Sequence, residues 1–237
     1  MTLGPRKALL LALGLSLAGA VSPNARAQTI EERAPPALRP PTWEVSAGVR
    51  TMYIKSAGFD PFSTNDGFVQ FSLSALGVIA RRDRLSFAVG LGLDLGSSSA
   101  TARGAPSSLT LTHLSALAEG RYQPWSRLYL FARVAPGFVH GTATIDDASS
   151  PSSSGLTAGF DAFSLDAGGG GAFCLGAVGT ARVGVWLLAD GGYGWVAGQD
   201  LVLAPTLSAD QSKAGTLDVG TLAPRGGFFR VSMALSY

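Results

Sequence analysis

Positions 113 and 115 carry side chains that could act together as a base and a nucleophile. His113 and Ser115 are separated by one residue, so on a β-strand both would lie on the same face. An imidazole beside a serine hydroxyl can take its proton and make the oxygen nucleophilic. Glu119 shares this face but lies roughly 20 Å farther along the strand, so it cannot orient the imidazole directly. The pattern allows a hydrolase site and leaves its acid unassigned.

Other residue types that commonly carry chemistry are too sparse to form a site. The chain has two histidines and one cysteine, Cys174, so we expect no metal-ligand cluster of the usual kind. The second histidine, His140, stands alone, and Cys174 is expected to be a small buried strand residue. The four glycines from 168 to 171 are followed by no predicted helix, unlike a phosphate-binding loop. We therefore expect no cofactor, and no enzyme activity except at His113 and Ser115.

Composition and the N-terminal residues indicate an exported protein. Charged residues make up 14% of the chain, against roughly 25% in ordinary soluble domains. A basic start, an apolar run over 8–21 and Ala25-Arg26-Ala27 form the pattern of a secretory signal peptide, 1–27. Its removal takes away three positive charges, so the net charge of +2 becomes −1. The charge therefore gives no reason to expect a nucleic-acid partner.

The remaining residues have the period of β-structure. Residues 28–42 are Pro-rich and predict an extended periplasmic lead-in. From residue 43, large apolar residues alternate with small or polar ones, most clearly over 85–96. With no helical pattern between the strands, we expect antiparallel hairpins. The same test predicts eight strands, at 43–54, 67–80, 84–96, 109–122, 127–140, 160–175, 180–196 and 227–237.

The connections between these strands alternate in length. Short turns are predicted at 81–83, 123–126 and 176–179, and long polar loops at 55–66, 97–108, 141–159 and 197–226. This alternation is typical of bacterial outer-membrane barrels, whose short turns face the periplasm. The sequence thus predicts an all-β fold over residues 43–237. Its architecture would be an eight-stranded antiparallel transmembrane β-barrel with short periplasmic turns and long extracellular loops.

The polarity of the two strand faces favours lipid outside the barrel. The narrow interior of eight strands would be overfilled by the bulky face, so we expect small and polar residues inside. Aromatic residues near the predicted strand ends resemble the two girdles at lipid headgroup level. The predicted girdle residues are Trp43, Tyr122, Trp125 and Tyr237 at the periplasmic side, and Tyr53, Phe68, Phe138, Tyr193 and Trp195 at the outer side.

Charged residues of both signs occur on the inward face. Because an unpaired charge inside the barrel would be costly, we expect a network of ion pairs. A fixed network predicts a plugged lumen, whereas pairs that exchange partners predict a narrow gated pore for small solutes. The residues assigned to this lumen network are Glu44, Arg50, Asp94, Glu119, Arg121, Arg133, Asp166, Arg182, Asp190 and Arg230.

Residues 43–237 resemble the small outer-membrane barrels of the outer membrane protein A, X and W type. The resemblance rests on strand number, loop alternation and the last strand, 229–237, which ends on an aromatic residue. It implies the outer membrane of a Gram-negative bacterium and recognition of that strand by the outer-membrane assembly machinery. Members of this class are envelope organisers, adhesion or resistance proteins, narrow channels or lipid-modifying enzymes. The His113-Leu114-Ser115 spacing also resembles that of outer-membrane lipid A deacylases.

From these observations we expect a monomer embedded in outer-membrane lipid, with a structural or surface-interaction role. Its lumen would be plugged, and its extracellular loops could bind a ligand. A narrow pore is the alternative, and a lipid A-modifying hydrolase is a more distant one. The longest loop, 197–226, mixes charged and apolar residues, which fits either a mobile cover or a recognition surface. No peptidoglycan-binding domain is expected after the last strand.

Overall fold

The two-residue alternation from residue 43 onward forms β-strands in the computed structural model. The structure describes residues 41–102, 104–146, 155–178, 183–205 and 215–237. The predicted signal peptide and residues 28–40 of the predicted lead-in lie outside these ranges. The strands are β1 (Trp43–Tyr53), β2 (Gly67–Arg82), β3 (Leu85–Ala102), β4 (Ala105–Trp125), β5 (Leu128–Ile145), β6 (Leu156–Val178), β7 (Val183–Val196), β8 (Gln199–Pro205), β9 (Leu217–Leu222) and β10 (Gly226–Ser236).

Eight of the ten strands close into a ring. β1 pairs with β2 on one side and with β10 on the other, and β10 pairs with β7. β2 to β7 pair in chain order, and every pairing is antiparallel. A closed ring leaves no strand edge with unpaired backbone N–H and C=O groups, as a sheet in lipid requires. The prediction of an eight-stranded antiparallel barrel is confirmed.

The hairpin of β3 and β4 is longer than the sequence predicted. The two strands pair continuously from Leu85 and Tyr122 to Ala102 and Ala105, so the predicted long loop at 97–108 is wrong. The Ser, Thr and Ala residues of this stretch keep the alternation, and Ser97 Oγ lies 3.3 Å from Thr110 Oγ1 on the neighbouring strand. Strands can pair through their backbone hydrogen bonds without large apolar side chains. The polar composition of 97–108 was therefore not sufficient evidence for a loop.

Two segments outside the ring fold at the end of the barrel that carries the longer connections. The connection between β1 and β2 contains a single 3₁₀ turn, Asp60–Phe62. The predicted loop 197–226 contains the hairpin of β8 and β9, and β8 also pairs with the start of β6 at Leu156 and Thr157. Within the described ranges, no helix has the length and hydropathy needed to cross a membrane.

The outer face of the ring is predominantly large and apolar, as Leu91, Phe138 and Phe229 illustrate. The inner face carries buried polar and charged side chains, but it is not limited to small residues. Bulky side chains also point inward, including Tyr129, Phe131, Trp186 and Phe228. The assignment of Phe68 to the outer girdle is wrong, because its ring is buried in the interior cluster at the long-connection end.

Candidate functional site

The long-connection end of the barrel interior is filled by apolar side chains that come partly from outside the ring. We call Phe59, Phe62, Leu201, Leu203 and Leu222 the mouth plug. They are almost completely buried and belong to one cluster with inward residues of the ring strands. These apolar side chains occupy this end of the lumen.

Polar contacts join the two segments of the mouth plug to each other and to the ring. The hydroxyl of Ser56 donates to the carbonyl of Thr221 at 3.0 Å and accepts from the backbone N–H of Ala223 at 3.1 Å. The hydroxyl of Ser98 on β3 donates to the carbonyl of Phe62 at 2.8 Å. The plug is therefore attached at defined positions as well as packed.

Beneath the plug lies a first group of charged residues, which we call the central network: Arg50, Asp94, Asp166 and Arg230. The guanidinium of Arg50 bridges two carboxylates, with Nη1 2.7 Å from Asp94 Oδ2 and Nη2 2.8 Å from Asp166 Oδ2. Arg230 Nη2 lies 3.8 Å from the same Asp94 oxygen. Two positive and two negative groups thus face one another inside the barrel.

The position of Arg50 depends on a glycine across the lumen. A Cβ at Gly194 would lie 3.0 Å from Arg50 Nη2 and 2.7 Å from Asp166 Oδ1. Any side chain there would press on the Arg50–Asp166 ion pair. The phenyl ring of Phe228 supports the same guanidinium, with the Arg50 Cζ 4.5 Å from the ring centroid. The position of the Arg50 guanidinium therefore depends on packing as well as on charge.

A second group, the lower network, consists of Glu44, Glu119, Arg121 and Arg133. Glu119 is fully buried and pairs with both arginines, at 2.6 Å from Arg121 Nε and 2.5 Å from Arg133 Nη2. Arg121 also lies 3.3 Å from Glu44 Oε2, which accepts a 2.7 Å hydrogen bond from the Tyr129 hydroxyl. This network links β1, β4 and β5 across the interior.

One of the residues assigned to the lumen, Asp190, stands apart from these pairs. Asp190 is buried and lies directly opposite Arg230 in the β7–β10 register. It lines a cavity with Arg133 and Arg230, although among the described residues no cation lies within 4.0 Å of its carboxylate. Arg182 lies outside the described residues. The remaining lumen residues are all buried inside the ring.

His113 contacts a different serine from the one that the sequence indicated. Its Nε2 lies 2.8 Å from the Ser164 hydroxyl on β6, and its Nδ1 lies 3.5 Å from Asp94 Oδ2. Ser115 is buried on the same inner face, but no hydrogen bond joins its side chain to His113 in the described part of the chain. Glu119 belongs to the lower network. Sequence reasoning missed Ser164 because β4 and β6 are not neighbours and their side chains meet only across the lumen.

The serine, histidine and aspartate are arranged in the order of a nucleophile, a base and an orienting acid. However, Ser164, His113 and Asp94 are all buried beneath the mouth plug. Arg50 Nη1 also lies 3.4 Å from His113 Nδ1 and pairs with Asp94, so it competes for the groups that would activate the imidazole. The geometry explains a stable polar core better than an accessible catalytic centre.

Asp94, His113 and Asp166 also bring possible metal-ligand atoms within 4.8 Å of one another. The guanidinium of Arg50 already contacts both carboxylates at hydrogen-bonding distance. A metal ion there would compete with this fixed positive charge. These residues therefore do not fit a metal centre.

Two cavities inside the barrel are lined by described residues, and both are small. One of about 10 Å³ adjoins Asp94, Arg133 and Asp190. The other, of about 20 Å³, lies below the mouth plug and adjoins Arg50 and His113. Each has room for about one water molecule. Neither of these two cavities, as the described residues form them, has room for a substrate.

The predicted girdle residues, Phe68 excepted, lie on the outside of the ring. At the short-turn end, the rings of Trp43 and Tyr237 lie beside each other, with their centroids 6.2 Å apart. Toward the other end, Phe163 contacts Phe138 and Trp195. The predicted girdle residues that are exposed on this outer face are Trp43, Tyr53, Tyr122, Trp125, Phe138, Tyr193, Trp195 and Tyr237. An apolar exterior with exposed aromatic residues around a charged interior reverses the polarity of a soluble barrel.

The chain forms an eight-stranded antiparallel β-barrel with an apolar outer face.

Comparison with known proteins gives structural matches alone. No protein-family model and no curated protein matches the sequence. The barrel is similar to the attachment invasion locus protein Ail of Yersinia pestis, solved with the heparin analogue sucrose octasulfate (13% identity, TM-score 0.45, 82% of this chain and 97% of that chain). It is also similar to Neisserial surface protein A (16%, 0.42, 83% and 97%) and to the outer membrane protease OmpT of Escherichia coli (7%, 0.46, 82% and 95%). At such low identity, the role of this barrel must be derived from its own residues.

Proposed function

We propose that this protein is a sealed barrel of the bacterial outer membrane that acts through its outward-facing segments, in a structural or surface-interaction role. The observation that carries the proposal is the filling of the interior. An apolar mouth plug lies above two networks of paired charges, and the two interior cavities measure about 10 and 20 Å³. A barrel filled in this way has only its surfaces available for interaction.

The proposal includes an orientation and a route. The short turns would lie in the periplasm, after export directed by the predicted signal peptide at 1–27. The longer connections, including the β8–β9 hairpin, would face outside, where they can meet an extracellular ligand. The last strand, β10, carries alternating Phe229, Val231, Met233 and Leu235 on its outer face, which suits recognition by the assembly machinery. The closed ring needs no second copy to complete its sheet, which favours a monomer.

A first prediction concerns ion flow. The protein refolded into a planar lipid bilayer should insert without discrete current steps, because the mouth plug and the two charge networks would block the passage of water and ions. Single-channel recording measures this directly. Insertion is verified in parallel by the different gel mobility of heated and unheated samples. Reproducible current steps from inserted protein would contradict the sealed barrel.

A narrow pore is the second candidate, and one observation favours it. Asp166 lines both interior cavities, so an exchange of ion-pair partners there would join them. In that case the native protein would conduct, and Arg133→Ala would change its conductance by widening the lower network. Unchanged conductance in this variant would exclude a gate at Arg133.

A second prediction concerns hydrolysis at the buried histidine. We expect no deacylation of lipid A by the native protein, because Ser164 and Ser115 are both buried inside the barrel. Mass spectrometry of lipid A incubated with the refolded protein checks this. If acyl chains are released, Ser164→Ala and Ser115→Ala form a matched pair. Loss of release in Ser164→Ala alone would assign a hydrolase with His113 as its base.

A further inference from the structure

Exposed arginines gather at the short-turn end of the barrel. Arg81, Arg82 and Arg84 lie in and beside the β2–β3 turn, and Arg127 lies in the β4–β5 turn; all four are exposed. We call these four residues the cationic rim. The backbone N–H of Gln123 on β4 donates to the carbonyl of Arg84 at 2.8 Å, so the two turns belong to adjacent hairpins. Asp83 is the acidic residue that accompanies them in these turns.

The opposite end of the barrel has the opposite charge. Among the described residues of the longer connections and the strand ends beside them, acidic side chains outnumber basic ones. The acidic residues are Asp60, Asp66, Asp146, Asp161, Asp200 and Asp218, and the basic ones are Lys55 and Arg225. The cationic rim is therefore a local feature of one end and not a consequence of the composition.

The rim adjoins the face that meets lipid. Arg82 lies directly opposite Leu85 in the β2–β3 register, and Leu85 lies opposite Tyr122. Both Leu85 and Tyr122 are exposed on the outer face. Trp125, with 69% of its surface exposed, lies two residues before Arg127. The guanidinium groups are thus placed where the apolar exterior ends, at the level of lipid headgroups.

The guanidinium groups of the rim are largely unpaired. Within the described ranges, the side chains of Arg82, Arg84 and Arg127 have no ion-pair partner, whereas Arg81 Nη2 donates to the carbonyl of Pro41 at 2.7 Å. The register of β2 shifts between Val78 and Ala80, and these residues line an open surface recess of about 200 Å³ beside Arg81. Thr42 also lines this recess. The unpaired guanidinium groups of Arg82, Arg84 and Arg127 thus lie near an open recess that Arg81 lines.

We propose that the cationic rim binds the phosphate group of an anionic phospholipid in the leaflet at the short-turn end. This inference rests on the proposed insertion of the barrel in a membrane. Guanidinium groups match phosphate oxygens with two parallel hydrogen bonds, and the acyl chains of the same lipid would lie along the adjoining apolar strands. An acidic protein or a glycan strand would use the charges but not the continuous apolar face, so lipid is the better match.

The test compares two doubly neutralised variants of the full-length mature protein. Arg82→Gln with Arg84→Gln removes two charges from the rim, and Lys55→Gln with Arg225→Gln removes two from the other end. Each protein is refolded in detergent and titrated with phosphatidylglycerol or phosphatidylcholine, and native mass spectrometry gives the ratio of the two affinities. Each basic residue near an anionic surface raises the binding affinity about fivefold. Loss of two such residues should therefore lower the ratio of the phosphatidylglycerol affinity to the phosphatidylcholine affinity about 25-fold.

Four other outcomes would overturn the inference. An equal loss in both variants would show a general charge effect, and no loss in either would show that the rim does not select lipid. Displacement of phosphatidylglycerol by equimolar inorganic phosphate would show a phosphate site without lipid recognition. If the rim variant keeps its preference for phosphatidylglycerol but no longer binds peptidoglycan fragments that the native protein binds, the rim would be a cell-wall site instead. Failure to insert into phosphatidylcholine vesicles, seen as unchanged gel mobility, would refute the proposed function and not the lipid preference.

Discussion

Replacing Glu119 with alanine should lower the free energy of unfolding of the barrel by about 3–5 kcal/mol, the usual cost of removing one partner from a buried ion pair. Glu119 is fully buried and contacts both Arg121 and Arg133. Arg121 keeps Glu44 at 3.3 Å, but Arg133 loses its ion-pair partner among the described residues. The stability is measured by urea unfolding in phospholipid vesicles, with tryptophan fluorescence and the fraction of unheated folded band as readouts.

The barrel contains a matched control for this variant. Asp161 pairs with His140 at 2.8 Å on the outside, where both side chains are largely exposed. Asp161→Asn should change the free energy by less than about 1 kcal/mol, because water already solvates the two groups. If Glu119→Ala lowers the free energy of unfolding no more than Asp161→Asn does, the lower network does not stabilise the barrel. The proposal of a fixed, sealed interior would then lose its main support.

The strands were predictable because alternation determines which face each side chain occupies. Parity alone placed Arg50 and Asp94 inside the barrel, although they lie on β1 and β3 and not on adjacent strands. Their 2.7 Å contact depends on the bore of the ring and on the orientations of long side chains, which a linear pattern does not contain. The same limit applies to His113 and Ser164. The sequence assigned His113 to the inner face but did not identify Ser164 as its partner.

The apolar closure of the barrel was not predicted. Leu201-Val202-Leu203 lies in the predicted loop 197–226, whose mixed composition fits either a mobile cover or a recognition surface. In the structure the two leucines are buried, whereas Val202 is half exposed, so the segment is a short strand with one face toward the barrel. Whether such a face packs into the mouth depends on the space that the ring strands enclose at that end. That space is a property of the closed ring and not of the loop sequence.

The mouth plug should open when a charge is placed on its buried face. Leu203→Asp exchanges a fully buried leucine for a carboxylate without a partner and also removes the leucine packing. The combined cost is at least about 3 kcal/mol. A two-stranded hairpin without packing is marginal in water, so the β8 and β9 amides should become exposed to solvent. Their hydrogen exchange, measured by mass spectrometry, should accelerate about 100-fold, since each 1.4 kcal/mol of opening free energy is a factor of about ten.

The neighbouring residue provides the control, because Val202 lies on the same strand with 49% of its surface exposed. Val202→Asp introduces the same charge at the same hairpin but into water, so exchange in β8 and β9 should stay within about threefold of the native rate. Equal acceleration in both variants would mean that the hairpin responds to charge and not to loss of packing. Bilayer recording of Leu203→Asp then locates the seal. If the β8 and β9 amides exchange rapidly but no current steps appear, the ion-pair networks below the plug close the barrel to ions. If new current steps appear, the mouth plug closes it.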